Sequence, residues 1–577
     1  MNTLVGEKYI WQLPNLDHEH AFSLARDFNV SIPVAQTLVS RGFRTKEQVD
    51  AFLFSVYERD VAHPSHMKDA QKAVDRIIKA IDNKERILIF GDYDVDGMTA
   101  TSLMMLCLMP LGARVNFFLP HRVKDGYGLS TRVVRRAAQS KYSLIVTVDN
   151  GITAYEPVVQ ARALGIDVII TDHHRPHDKI PPAYAVVNPA QNECPYPFKK
   201  LAGVGVIFKV ISLLYERKKL TLPSKAYELL LLGTIADVVP LVGENRFWVR
   251  HGLGMISKHE SFSFQVLKKN SAITRPRINA TDIGFFITPQ INALGRLEDP
   301  RQGISFLIGA NTKEVERVGA VLFELNQARK EIERSIFGQV NAEISAGRID
   351  LAKENIILAA SNSWPPGVIG LVASRLVSAY GRPTFLFHLD KGNLAKGSCR
   401  SIKSFDIFEA LSQVHDLLES FGGHPQAAGL SLKVDRLPEF KERLEQIISV
   451  RLTSDDLSQK LELDAEITMN DINQKLMADV THLEPFGHEN AQPIFYLKKV
   501  SLLESPTLLK DEHVKCRVFA DGIIKPVIFF NRPELWKKLS QQDTQPFDLA
   551  VHVAENHWNG QVNIELIGCD VAGLKEI

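Results

Sequence analysis

Between Arg86 and about Leu241 the chain repeats one unit: a short apolar run, a loop, then a helical segment. Ile87–Phe90, Val115–Leu119, Leu144–Val148 and Val168–Thr171 read as strands. Thr99–Met109, Thr131–Ser140 and Tyr155–Leu164 read as the helices between them. The runs are apolar throughout rather than alternating, so both faces of each strand are expected to be covered. That pattern predicts a parallel sheet with helices on its two sides. In such sheets ligands bind outside the carboxyl ends of the strands. Asp92, Asp149 and Asp172 each stand just past a strand, so one sheet edge collects acids.

The first of these acids belongs to FGDYDVDG, Phe90–Gly97, where Asp92, Asp94 and Asp96 alternate on a glycine-bounded loop. Three carboxylates this close repel one another unless a cation sits among them. An isolated DxDxD is more often a solvated turn, and an EF-hand is disfavoured because no Glu stands at the twelfth position. The context favours metal. Asp149 arrives in VDNG, and Asp172, His173 and His174 in TDHH. Asp237 ends an apolar run in GTIADVVP, and a buried Asp needs a partner; Arg246 is the alternative to a metal. Carboxylates with one or two imidazoles and no thiolate suit Mn²⁺ or Mg²⁺. Two ions about 3.5–4 Å apart would clamp a phosphodiester and activate its attacker. The sheet edge favours Asp149 as the bridging ligand. One of His173 and His174 would ligate metal while the other meets a phosphate or leaving oxygen.

At 577 residues the chain is too long for one core. The expected order is an N-terminal extension (1–69), a catalytic α/β domain (70–265), a helical connector (266–347), a second α/β domain (348–452) and a β-barrel (460–577), with a polar linker at Thr453–Lys460. Asn559-Gly560 between two β-rich runs is a hairpin signal. Phe, Tyr and Trp interspersed in that barrel fit an oligonucleotide-binding (OB) fold, although any single aromatic is more often core. Lys391–Phe405 carries four bases and no acid, between glycines that would admit a phosphate. In FGGHPQAAG, His424 is the residue suited to substrate contact. With 68 basic and 67 acidic residues, a nucleic acid would be held by a local groove. Five scattered cysteines without CxxC spacing argue against disulfides and zinc and fit a reducing cytoplasm. No signal peptide and no membrane-spanning apolar run are evident.

FGDYDVDG, VDNGI, TDHH and IADVVP together resemble the four motifs of the DHH phosphoesterases. KGSCRS and FGGHPQAAG resemble that family's DHHA1-type accessory domain. LAGVGV, FLPHRVKDGYGLS and INALGRLED narrow the resemblance to its single-strand-specific 5′→3′ exonucleases, from about residue 70 onward. The resemblance implies two Mn²⁺ or Mg²⁺ ions held by Asp92, Asp94, Asp96, Asp149, His173, His174 and Asp237. It implies a 5′-terminal phosphate anchored by Ser398 and Arg400, with Arg122, Tyr127, Asn292 and Arg296 along the DNA path. It also implies a monomeric cytoplasmic enzyme of DNA repair and recombination that cooperates with single-strand-binding protein and a RecQ-type helicase. Four positions depart from the family's pattern: Phe90 for a His, Gln290 for an Arg, Pro365 for a His and Cys399 for a Gly. Two rival readings remain. A DHH phosphodiesterase of short oligonucleotides or cyclic dinucleotides would need no third domain, and a non-catalytic single-strand-binding relative would have lost motif acids that are all present here.

Overall fold

The computed structural model describes residues 3–574 except 122–125, 127, 276, 543–544 and 559–560, with backbone only at 454, 557–558 and 561–562. The chain divides into two compact units. One comprises Ser55–Gly338 with Pro485–Asn490; the other comprises Met1–Phe54, Gln339–Glu484 and Ala491–Ile577.

The first unit is built on five parallel strands: β1 (Arg86–Phe90), β2 (Arg114–Phe118), β3 (Leu144–Val148), β4 (Asp167–Thr171) and β5 (Ala185–Val187). Their order is β2-β1-β3-β4-β5. Ile87 and Ile89 join the core on one face, while Leu88 and Phe90 join the core on the other. This two-sided burial is why the strands read as unbroken apolar runs. The first face is covered by α1 (Val95–Leu108), α2 (Gly203–Arg217) and α3 (Ser224–Ala236). The second is covered by Thr131–Gln139 and Tyr155–Ala163. Helix α1 begins at Val95 rather than Thr99 because Asp94 caps it, accepting from Gly97 N at 3.0 Å. Asp96 therefore stands in a helical first turn and not on a loop. Residues 266–338 belong to this unit, and Ile283, Ile287, Ile291 and Leu294 enter its core.

In the second unit, β6 (Ile357–Ser361), β7 (Thr384–Leu389), β8 (Leu394–Arg400), β9 (Leu418–His424) and β10 (Ala427–Lys433) form a mixed sheet ordered β9-β10-β8-β7-β6. β11 (Phe495–Leu502), β12 (His513–Ala520), β13 (Ile523–Phe529), β14 (Phe547–Trp558) and β15 (Gln561–Ala572) close into a barrel through β11-β14-β15-β13-β12-β11. β14 and β15 pair as the hairpin read from the sequence, with the turn itself outside the described residues. The N-terminal extension is sewn onto this barrel. Trp11, fully buried among Leu463, Tyr496, Ala550 and Ala572, donates from Nε1 to Asp570 at 2.9 Å. Asp570 also accepts from Lys8 N and Tyr9 N and pairs with Arg532. Those donors offset the cost of burying its charge.

Candidate active site

The strand order reverses direction between β1 and β3, which makes their carboxyl ends the topological switch point of the sheet. Asp92, Asp94 and Asp96 follow β1, and Asp149 follows β3. Asp149 adopts a left-handed conformation, φ 63°, which Asp tolerates better than most residues. The VDNG turn is held by Thr147 Oγ1 donating to Asn150 O at 2.7 Å. Gly151, at φ 110°, is required there, since a Cβ would lie 2.5 Å from Thr147 Oγ1.

Three overlapping donor sets result, each with its ligand atoms within 4.8 Å of one another: Asp92, Asp94 and Asp149; Asp96, His173 and Asp237; Asp149, His173 and His174. Asp149 and His173 each belong to two sets. Asp96 is anchored by the N-terminus of α2, accepting from Gly203 N at 2.6 Å and Val204 N at 2.8 Å. Gly203 also admits Asp149, because a Cβ there would lie 2.5 Å from Asp149 Oδ1. Asp237 ends α3, and its Oδ2 faces His173 Nε2 at 3.5 Å; the same Nε2 lies 3.1 Å from Asp149 Oδ1.

Asp172 differs from the other strand-end acids. Its carboxylate points into the protein and accepts from Ile152 N at 2.9 Å, His173 N at 2.7 Å, His174 N at 3.0 Å and His174 Nδ1 at 2.7 Å. It belongs to none of the three donor sets. It orients the two histidines, as outer-shell carboxylates of metal sites do. Three backbone amides and one imidazole occupy its lone pairs, which no feature of TDHH in the sequence reveals.

Burial, and next the charge of Asp96, raises the Asp149 carboxyl well above its ordinary value. Burial, and next Asp237, lifts Asp96 to about 7. Burial, and next Asp94, lifts Asp237 to about 8. Burial and the neighbouring charge of His174 lower His173 and so favour its neutral imidazole. Burial opposes the charge of His174, but its hydrogen bond to Asp172 and the surrounding carboxylates raise it to about 9. His173 Nε2 and Asp237 Oδ2 are buried without a hydrogen-bond partner among the described residues. A proton or a cation has to sit among these lone pairs. Oxygen-rich donors, no thiolate and orphaned buried atoms fit a divalent cation of the Mn²⁺ or Mg²⁺ kind.

This has a measurable sign. Carboxyls whose pKa is raised on folding lend stability that is complete below their unfolded value of about 4 and is lost as pH rises through about 7 to 8. In chelator the melting temperature is therefore expected to fall between about pH 4 and 8 and to level off above that. Saturating Mn²⁺ replaces the protons, so its stabilising increment is expected to grow over the same interval. Scanning fluorimetry at matched ionic strength reads both, and an Mn²⁺ increment independent of pH would contradict the clustered-carboxyl account.

The other candidates fall in different places. Arg122 and Tyr127 lie outside the described residues. Asn292 sits on α4 (Thr288–Leu297) and accepts through Oδ1 from Val95 N at 3.2 Å, so it holds the start of α1 in place. Gly295 of the same helix packs on the acidic loop, where a Cβ would lie 2.2 Å from Tyr93 O. Arg296 lies in the last turn of α4. Ser398 and Arg400 end β8; Arg400 NH1 lies 3.3 Å from Ser398 Oγ and donates to Cys399 O at 2.8 Å. Gly370 leaves room for both, since a Cβ would lie 2.7 Å from Ser398 Oγ. His424 ends the exposed edge strand β9. The departures from the family pattern have structural explanations. Phe90 is buried and stacks on Phe118, Cys399 is buried with Sγ bonded to Ala428 O, and Gln290 is buried with its amide on backbone carbonyls. Pro365 caps the helix Pro366–Tyr380.

A doubly wound parallel sheet with seven carboxylate and imidazole donors at its switch point defines a metal-dependent phosphoesterase of the DHH class. Residues 86–234 match the DHH family N-terminal domain, 353–450 the DHHA1 domain and 463–570 the RecJ OB domain. The chain is 35% identical over 574 residues to the single-stranded-DNA-specific exonuclease RecJ of Bacillus subtilis, covering 99% of this chain and 71% of that protein. Its fold matches the crystal structure of RecJ from Thermus thermophilus in complex with Mn²⁺ (TM-score 0.82, 28% identity, 98% of this chain and 80% of that one). The Mg²⁺ complex of the same protein matches with a TM-score of 0.76, 26% identity and coverage of 98% and 79%. The chain belongs to the RecJ family of single-stranded-DNA-specific exonucleases.

Proposed function

We propose that this protein hydrolyses single-stranded DNA from its 5′ end, using Mn²⁺ or Mg²⁺ held by Asp92, Asp94, Asp96, Asp149, His173 and Asp237. The observation that carries this reading is the convergence of those donors, with orphaned buried lone pairs, at the switch point of the sheet. Bound cations supply Lewis acidity to the phosphodiester and stabilise the charge that develops on it. The chain's own residues do the rest. Asp149, common to two donor sets, holds them in register. Asp172 fixes His174 through Nδ1, which leaves Nε2 as the atom that holds a proton for a phosphate or leaving oxygen. Asn292 and Gly295 hold the acidic loop. Degradation of 5′- and 3′-labelled single strands with Mn²⁺, Mg²⁺ and chelator tests the reading. Release from the 3′ end first, or activity that survives chelation, would refute it.

Polarity needs a sensor of the terminus, because carboxylates and cations do not distinguish the ends. Arg400 offers a planar fork of donors and Ser398 a hydroxyl, suited to the extra charge of a 5′-phosphate. Arg400→Ala is expected to reduce the preference for 5′-phosphoryl over 5′-hydroxyl ends about 10-fold or more, with Arg400→Lys intermediate. The ratio of rates on the two ends at one salt concentration reads this; an unchanged ratio would remove Arg400 from the role. The same reading includes substrate contact by His424 and Arg296, action as a monomer in the cytoplasm, and cooperation with single-strand-binding protein and a RecQ-type helicase. Its supports are the family relationship and five cysteines that are all unpaired. No helix among the described residues is long and apolar enough to cross a membrane.

A further inference from the structure

Immediately before Pro289 the chain widens into a π-turn over Ile283–Ile287. Proline lacks the N–H that would bond back along the helix, and its ring crowds the carbonyl four residues earlier, here that of Phe285. The turn is stapled from inside. Gln290 Nε2 lies 2.8 Å from Phe286 O, 3.0 Å from Leu267 O and 2.7 Å from Ser271 Oγ, and Ser271 Oγ donates to Phe286 O at 2.9 Å. This is what glutamine does at a position where the family's pattern has arginine: it secures a turn from the buried side.

The consequence is on the outside. Ile283 and Ile287 are fully buried, whereas Phe285 is 72% and Phe286 46% exposed. Two adjacent aromatic rings left in water on a π-turn are costly unless something covers them, and π-turns are frequent at functional sites. The turn packs on α3, the helix that ends at Asp237. A Cβ on Gly284 would lie 3.4 Å from Ile235, two residues before Asp237. Their electrostatic setting is cationic. From Glu260 to Leu297 the chain carries Lys268, Lys269, Arg275, Arg277 and Arg296 against two acids, Glu260, which pairs with Lys268, and Asp282, which is buried and paired with Arg275. Lys269, Arg275 and Arg277 are exposed. Exposed aromatics among cations are the physical requirement of a surface that stacks bases and follows phosphates without reading sequence.

The geometry points to Phe285 and Phe286 as a base-stacking step for single-stranded DNA on the catalytic unit, presented by the Gln290-stapled π-turn. This rests on the single-strand reading above and adds to it a subsite that recognises bases rather than the phosphate backbone.

The test separates bases from backbone. The full chain, in chelator to prevent cleavage, is titrated with a fluorescent oligo-dT and with an abasic strand of the same length and charge, both at one salt concentration. The wild type is expected to prefer oligo-dT. Phe285→Ala and Phe286→Ala are each expected to weaken oligo-dT binding about 5- to 150-fold and to leave the abasic strand unchanged. Phe285→Trp is expected to restore the preference, which also shows that the position tolerates substitution. Wild-type affinity for oligo-dT in both alanine variants, or an equal loss on both strands, would overturn the stacking step. A wild type that bound neither strand in chelator, and degraded neither when Mn²⁺ was then supplied in excess, would instead overturn the single-strand reading itself.

Discussion

Asp149→Ala is expected to abolish strand degradation, lowering turnover by at least about 10³-fold, while the protein stays folded. Asp149 is the carboxylate shared by the set with Asp92 and Asp94 and by the set with His173 and His174. Losing it disconnects the donors after β1 from those after β4, so neither set can be filled as before. The fold is expected to survive because burial, and next the charge of Asp96, already disfavours the charged form of this carboxyl when no cation is present. Removing a charge the fold disfavours does not strip away a needed ion pair. Asp149→Asn, which keeps the shape of the left-handed turn, separates backbone from ligand effects. Both variants should melt within a few degrees of the chelated wild type and lose the Mn²⁺-induced shift. Robust turnover by either, free of contaminating nuclease, would end the assignment of Asp149 as shared ligand.

Asp172→Ala is expected to act differently, destabilising the protein by about 3–5 kcal/mol and lowering activity about 10- to 100-fold. Although burial opposes its charge, the hydrogen bond from His174 leads a set of interactions that hold the Asp172 carboxyl below the usual range. The folded state therefore depends on this carboxylate, in contrast to Asp149. Removal strands three backbone amides and frees the His174 ring to rotate. Asp172→Asn should fall between, because its amide nitrogen faces donors. Chemical denaturation gives the stability and Mn²⁺ titration gives the affinity. A variant as stable as the wild type would contradict the buried-acceptor account, and one with unchanged Mn²⁺ affinity and rate would contradict the orienting role.

The contrast between these two aspartates shows what local sequence can carry. Both stand immediately after an apolar strand. Which one turns toward the cations depends on whether backbone N–H groups at the next loop, here Ile152, lie within reach, and that is decided by the neighbouring strand's turn. Asn292 illustrates the same limit: its Oδ1 accepts from Val95 N, 197 positions away, a contact its motif does not record. The start of α1 was also hidden, because Val95, Asp96 and Gly97 are weak helix formers and only the Asp94 cap reveals them as helical.

By itself the sequence determined the chemistry available: unbroken apolar strands that need cover on both faces, acids at their carboxyl ends, imidazoles without thiolates, and hence a hard divalent cation. Those properties follow from residue type and short-range period, which survive in one dimension. Only the tertiary structure decided the strand order that sets β1 beside β3, the division of the carboxylates into ligands and supports, and the inward turn of Gln290 that leaves Phe285 in water. It alone joined Trp11 to Asp570 across 559 residues. Each of these is a choice of partner between distant segments, and the free energy that makes it comes from packing and desolvation at the contact, which no local pattern records.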